Sequence, residues 1–299
     1  MFEDITRLPE HYLTRAETQI LEAFAGDIVD LIRPHEIVEL GSGYSVKTKV
    51  LIDAMRRIGE GTRYVPMDIS EDALREAAQA LCNYYPWLAV DGLVGDFFTD
   101  LDRVPRHGTR LVTFFGSTIG NFDLETRLRF LSAVTGMLHR GDALLLGVDL
   151  LKDPEILVAA YDDSAGVTAE FNKNILQVVN RELGAAFDVD TFDYFARWSA
   201  EWERIEMGLR ARRHMVVEVP GAGITAEFLE GEELHNEISC KFRKHTIGRE
   251  LTATGLDTIG WFTDPQERFA LVLATPSVSA ARAKPRPTSD GADGAGSRR

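Results

Sequence analysis

Cysteine is scarce in this chain. Two residues in 299, Cys82 and Cys240, give no disulfide framework and none of the paired spacings of a zinc site. The seven histidines form no HxH or HExxH pattern, so no metal is expected. No G-x-S-x-G elbow announces a serine nucleophile. No apolar run approaches the ~20 residues that a transmembrane helix needs, and Met1-Phe2-Glu3-Asp4 does not open a signal peptide. Positive charge is short as well: 33 Lys and Arg face 47 Asp and Glu, and the net −14 argues against nucleic acid or an anionic membrane as partner. These absences point to a reduced, cytoplasmic chain, expected to be a monomer, whose partner is a small molecule.

The length allows one large domain or two modest ones with an ample core. Residues 276–299 carry five basic and two acidic side chains among Ala, Gly, Ser and Pro, and no large apolar residue. Such a segment cannot bury enough surface to offset its ordering entropy, so a disordered tail is expected there. Removing its +3 from the total of −14 leaves the rest near −17, so the acidity belongs to the folded part.

From residue 37 to about 150, short apolar runs alternate with amphipathic helical patterns, as in a parallel sheet covered on both faces. The spacing predicts strands at 37–40, 64–67, 89–94, 111–115 and 143–148, with helices at 47–57, 71–81 and 124–138. A further helix, 14–24, precedes the first strand. After residue 151 the pattern changes to a long helix at 165–183 and alternating segments at 192–198 and 204–219, which suit antiparallel strands and hairpins. A helix at 246–254 and strands at 258–262 and 269–274 then resume the sheet. The expected organisation is 1–151 plus 241–275 as one α/β domain, with an α+β unit at 152–240.

Four predicted strands end in polar or glycine turns: Gly41-Ser42-Gly43, Asp68, Gly95-Asp96 and Gly116-Ser117-Thr118. Ligands of open parallel sheets bind at the carboxyl ends of strands, so these turns should line one crevice. The first turn follows the β-branched run of VELGSG. A dinucleotide fingerprint G-x-G-x-x-G wants a third glycine where this chain has Val46. Two glycines preceded by Glu39 fit the looser turn of S-adenosylmethionine methyltransferases better.

Several side chains then acquire candidate roles. Asp68 can accept both ribose hydroxyls of an adenosine, or can simply cap the helix that follows it. Asp96 offers an acceptor for an adenine amino group, with the Phe97 ring beside it. Lys47 sits where a cation opposes the helix dipole, which favours an anion nearby such as a cofactor carboxylate. Gly116 and Asn121 stand where the fourth strand meets a transferred group, and an Asn amide can serve an amine and a carboxylate at once. Tyr161 can offer its phenol to a carboxylate. Glu237 and Ser239 alternate on one face of a strand, an acid and a hydroxyl suited to the two nitrogens of an imidazole, unless this is only an exposed edge strand. Met207 walls a pocket or fills the core.

With these residues in view, the sequence resembles the histidine-specific Nα-methyltransferases of ergothioneine biosynthesis. The carriers are ITRLPEHYLTR, VELGSGYSVKT, VGDFF, GSTIGN, DLLKD, AYDDSAGVTAEFN, ERIEMGLRAR and EISCKFR, spread from Phe2 to Ala274. The resemblance implies a class I, Rossmann-like methyltransferase sheet with an additional α+β substrate-binding domain at 152–240. It implies that Gly41, Lys47, Asp68, Asp96 and Phe97 hold S-adenosylmethionine. Gly116, Asn121 and Tyr161 would hold the amine and carboxylate of L-histidine, Glu237 and Ser239 its imidazole, and Met207 would lie alongside. The reaction would be trimethylation of the α-amine to hercynine, with positioning by Asn121 and Gly116 and no metal. Members usually carry Tyr-Tyr in the LPE-Y-Y motif, the first touching the substrate carboxylate. Here His11 takes that place, ahead of Tyr12, and its imidazole can donate as a phenol does. Members also have a preceding segment with another substrate-facing tyrosine, so either the start lies upstream or this copy is truncated. Methylation of a different amine, a non-catalytic binding homologue and a nicotinamide oxidoreductase are the alternatives.

Overall fold

The strand expected at 37–40 runs from Glu36 to Leu40 (β1), and all five of its side chains are buried. The computed structural model describes residues 2–43, 47–59 and 61–277, so Val46 and most of the expected tail, 278–299, lie outside the described residues. A short helix, Phe2–Thr6 (α1), and a long one, Leu13–Ile32 (α2), precede β1. There follow α3 (Thr48–Ile58), β2 (Arg63–Asp68), α4 (Glu71–Tyr84), β3 (Ala89–Val90), β4 (Leu93–Val94), β5 (Arg110–Phe114), α5 (Leu124–Met137) and β6 (Ala143–Asp149). The middle of the chain gives α6 (Pro154–Ala159), α7 (Val167–Leu183), β7 (Phe192–Ser199), β8 (Arg204–Ala211), β9 (Met215–Val219), β10 (Ile224–Phe228) and β11 (Glu233–Cys240). It closes with α8 (Lys244–Ala253), β12 (Leu256–Thr263) and β13 (Phe269–Pro276).

The large sheet runs β12-β13-β6-β5-β1-β2-β3, with β4 also on β2. β13 is antiparallel to both its neighbours, while β1 to β6 pair in parallel. Successive residues of each strand serve opposite faces. Ile37, Tyr64, Leu111 and Leu145 pack with Leu51, Ile52 and Ile20 on one side. Val38, Leu40, Val65, Val112 and Leu146 pack with Phe130, Leu131 and Leu251 on the other. Full burial of each such side chain stabilises by about 1.5–3 kcal/mol, so the sheet centre fixes the frame on which the turns sit. β1 lies between β5 and β2, which makes the carboxyl ends of β1 and β5 the topological switch point.

Three expectations on extent change. The helix predicted at 14–24 continues to Ile32, because Ala25, Ile28 and Val29 keep the buried stripe going; it stops at Arg33, left-handed at φ 50°, just before Pro34. The strand predicted at 89–94 splits at Asp91-Gly92, where a Cβ on Gly92 would stand 3.3 Å from Leu74. Pro276, assigned to the tail, instead ends β13 opposite Leu256. It lies beyond the last β6 pair at Ala274, where the missing N–H is not needed.

Residues from β7 to β11 form a three-stranded antiparallel sheet, β11-β8-β7, and a β9–β10 hairpin. Ile205, Met207, Leu209 and Ala211 alternate along one face of β8. The first two belong to the core around the large sheet and the last two to a separate small core with Leu176, Phe192 and Phe228.

Candidate active site

The turn after β1 is tied to the end of β2. Gly41 N donates to Met67 O (2.8 Å) and Gly43 N to Asp68 Oδ2 (2.9 Å), while Asp68 Oδ1 accepts from Ser70 N (2.9 Å). Ser70, not Asp68, caps α4 through Ala73 N. Each Asp68 oxygen takes one backbone donor and keeps acceptor capacity for a hydroxyl. Gly41 and Gly43 have φ of 67° and 47°, and a Cβ on Gly41 would sit 3.9 Å from both Phe97 and Phe114. Phe97 is held by the rings of Phe98, Phe114, Phe122 and Phe130 at 5.1–6.2 Å between centroids. Asp96 is exposed beside it and uses Oδ1 to accept from Phe98 N (2.8 Å).

Lys47 stands at the N-terminal end of α3 without capping it, and its anion comes from within the protein: Nζ pairs with Glu17, a fully buried carboxylate on the apolar stripe of α2. Glu17 also accepts from Gly116 N, at 2.9 and 3.1 Å to its two oxygens. One carboxylate thus spans the lysine after the glycine turn and the loop after β5.

The substrate-side candidates meet on β11. A 3-10 turn, Thr118–Asn121, packs against this strand so closely that a Cβ on Gly120 would stand 2.8 Å from Cys240 O. Asn121 Nδ2 thereby donates to Glu237 Oε1 at 3.2 Å. An open groove of about 380 Å³ is lined by Asn121, His235, Asn236, Glu237 and Ile238. Tyr161 Oη and Ser239 Oγ share a hydrogen bond of 2.8 Å, and Tyr194 Oη fixes the Tyr161 carbonyl at 2.7 Å. Met207 is paired directly opposite Glu237, so the two point to the same side, and Met207 is buried. β11 is an edge strand of its sheet, yet Ser239 is buried, because the 3-10 turn and Tyr161 cover it. Burial pushes the Glu237 carboxyl up, against the pull of the Lys241 charge.

Behind these residues lies a buried ionic cluster that the sequence reading did not single out. Asp149, at the end of β6, accepts from Tyr12 Oη (2.8 and 2.9 Å), Lys152 Nζ (2.6 Å) and Lys241 Nζ (2.9 Å). Burial alone would raise Asp149, but the two ammonium groups outweigh it and hold the carboxyl below the usual range. Lys241 also donates to Tyr161 Oη (2.9 Å) and Ser239 Oγ (2.8 Å). Signals for some of these were present: Lys241 continues the alternation of Glu237 and Ser239, and Glu17 is an acid inside an apolar helical stripe.

His11 is buried at 8% exposure, with Nε2 beside Thr14 Oγ1 at 3.2 Å. Burial first, then the Arg15 charge, pushes it down to about 4, so it is neutral at physiological pH. Glu39 is buried too; burial pushes it up to about 7 despite hydrogen bonds from Thr48 (2.5 Å) and Tyr64. The two act on stability in opposite senses. Between pH 4 and its ordinary 6.5, His11 is protonated only in the unfolded chain, so stability rises with pH there. Between 4.5 and about 7, Glu39 is protonated only in the folded chain, so its contribution falls as pH rises. Each slope is about 1.4 kcal/mol per pH unit and they offset one another. Glu39→Gln should therefore steepen the loss of melting temperature from pH 6.5 down to 4.5. An unchanged slope in thermal melts would show that the pair does not balance.

The fold is that of the S-adenosylmethionine-dependent methyltransferases. A crystal structure of such an enzyme from Clostridium acetobutylicum superposes with a TM-score of 0.53 at 13% identity, covering 92% of this chain and 98% of that one. Over residues 1–276 the sequence matches the family described as histidine-specific methyltransferase, SAM-dependent, and the chain belongs to that family. Similar proteins include the histidine N-alpha-methyltransferases of Mycobacterium tuberculosis and Mycolicibacterium smegmatis, each 48% identical over 92% of this chain and 85% of their own length. Ergothioneine biosynthesis protein 1 of Schizosaccharomyces pombe is 32% identical over 65% of this chain and 27% of that protein. The turns fit S-adenosylmethionine: Gly41 leaves room for close approach between two phenylalanines, and buried Ser42 Oγ has no partner among the described residues. No helix among the described residues is long and apolar enough to cross a membrane.

Proposed function

We propose that this protein transfers three methyl groups in succession from S-adenosylmethionine to the α-amine of L-histidine, giving hercynine, the first step of ergothioneine biosynthesis. The observation that carries the reading is the pair of bonds joining the loops of the large sheet and the segment after β6 to β11: Asn121 to Glu237 (3.2 Å) and Tyr161 to Ser239 (2.8 Å). They set amine-binding and imidazole-binding candidates side by side. Residues 1–151 with 241–275 serve as the cofactor domain and 152–240 as the substrate-binding domain. The net charge of −14 supports a small-molecule substrate rather than nucleic acid or membrane, and a monomer in the cytoplasm is the simplest working form.

In this reading Gly41, Lys47, Asp68, Asp96 and Phe97 hold the cofactor, Asp68 taking the ribose hydroxyls. Gly116, Asn121, Tyr161 and His11 hold the amine and carboxylate. Glu237 accepts the imidazole N–H, Ser239 serves the other ring nitrogen and Met207 walls the ring. S-adenosylmethionine supplies a methyl on a sulfonium, ready for in-line displacement. The chain's task is then positioning, since a well-aligned pair gains effective molarities of about 10⁵–10⁸ M over free encounter. The amine attacks only when neutral, so it gives up a proton before each transfer. Among the described residues no cluster of acids, cysteines or histidines offers a metal site, and no step requires one.

Purified protein, incubated with S-adenosylmethionine and a panel of amino acids and amines, should give singly, doubly and triply methylated histidine by mass spectrometry, and no other product. Modification of another amine with histidine untouched would overturn the substrate. Failure to bind S-adenosylmethionine in calorimetry would overturn the enzymatic reading altogether.

A further inference from the structure

We infer that Lys241 is a positioning residue that fixes the direction of the Ser239 hydroxyl and so selects which form of ring nitrogen the pocket accepts. The inference rests on the imidazole reading of Glu237 and Ser239 given above.

A lysine ammonium has three N–H donors and no acceptor. In Lys241 all three are engaged, by Tyr161 Oη (2.9 Å), Ser239 Oγ (2.8 Å) and Asp149 Oδ2 (2.9 Å). Lys241 is buried and ion-paired to Asp149, so its head cannot turn away to water. Both hydroxyl oxygens therefore accept from it, and each retains one proton to give. The two oxygens are also 2.8 Å apart, so one of those protons is spent between them. A single O–H is left for a ligand. A phenol is the stronger acid and an aliphatic hydroxyl the better acceptor, so Tyr161 donates to Ser239, keeps only an acceptor position, which serves the substrate amine rather than the carboxylate, and leaves the free proton to Ser239.

Ser239 is thus held as a donor, and the ring atom facing it must be a bare nitrogen. Glu237, which already accepts from Asn121, demands an N–H on the opposite side. Together they admit one tautomer of a neutral imidazole. A phenyl or indole ring would leave the Ser239 proton buried without an acceptor, which costs about 1–3 kcal/mol. Without Lys241, the Ser239 oxygen would have an open acceptor position and its hydroxyl could turn either way, so discrimination would relax.

The test is a double-mutant cycle on the full chain with Lys241→Met and Ser239→Ala. The methionine keeps the apolar stem, and Asp149 keeps Lys152 and Tyr12 as partners, so no buried carboxylate is orphaned. Lys241→Met should raise KM for histidine about tenfold to a hundredfold while kcat changes less than about threefold. In the Ser239→Ala background the same change should add less than about threefold. Lys241→Gln, which keeps two N–H donors, should recover part of the loss, and it carries the test if the methionine variant does not fold. S-adenosylmethionine affinity by calorimetry should be unchanged throughout. Additive losses in the two backgrounds, or a loss confined to kcat, would overturn the inference. Wild-type protein that binds the cofactor but leaves histidine unmodified would instead remove the functional reading, and this inference with it.

Discussion

Replacing Glu237 with alanine should cost about 30- to 1000-fold in kcat/KM for histidine, or about 2–4 kcal/mol, while cofactor binding stays within twofold. The size follows from what the carboxylate does in the proposed pocket. It is the acceptor for an imidazole N–H in a half-buried site, and a hydrogen bond to a charged group is worth about 1.5–3 kcal/mol. Its removal also frees Asn121, whose amide would no longer be aimed by the 3.2 Å bond across from the 3-10 turn. The separation between the two effects is the informative part, because β11 and the glycine turn sit on different sheets. Steady-state kinetics with histidine and calorimetry with S-adenosylmethionine read them independently. Equal losses in both would mean that Glu237 supports the fold rather than the ring.

The second large effect is expected at Asp68. Asp68→Ala should weaken S-adenosylmethionine by about two to three orders of magnitude in Kd, since two hydroxyls lose a shared charged acceptor. The same side chain holds Gly43 N at 2.9 Å, so the glycine turn loses its tether to β2 as well. Asp68→Asn, with one acceptor oxygen left, should fall between the two. A change below about threefold in calorimetry with the alanine variant would place the ribose elsewhere.

The large sheet was legible because strands buried on both faces read as continuous apolar runs, and runs such as 143–148 leave little choice of register or type. The turns that end them were equally plain, since glycines and short polar residues interrupt those runs abruptly. Glu237 and Ser239 were visible through a period of two. What stayed hidden were partners that no local period encodes. Glu17 answers Lys47 across 30 positions and Gly116 across 99, so its meaning depends on how α2 lies over the sheet. Asp149 draws Tyr12 from 137 residues away. Neighbours also diverge: His11 is turned to Thr14 while Tyr12 runs into the ionic cluster, a difference that one residue of chain separates and only tertiary packing decides.

The single apolar face of β8 has a consequence for anyone recombining such proteins. Ile205 and Met207 are bricks of the wall around the large sheet, whereas Leu209 and Ala211, a few ångströms further along the same strand, belong to the small core. A graft that exchanged 152–240 for the corresponding piece of another protein would remove Leu157, Ala160, Ile205 and Met207 from the core around the large sheet as well as the contents of the small core. Swapped modules should therefore work only when the incoming piece brings side chains of matching volume at 157, 160, 205 and 207. A new substrate preference is then reached more readily by changing single residues in place than by exchanging the whole piece.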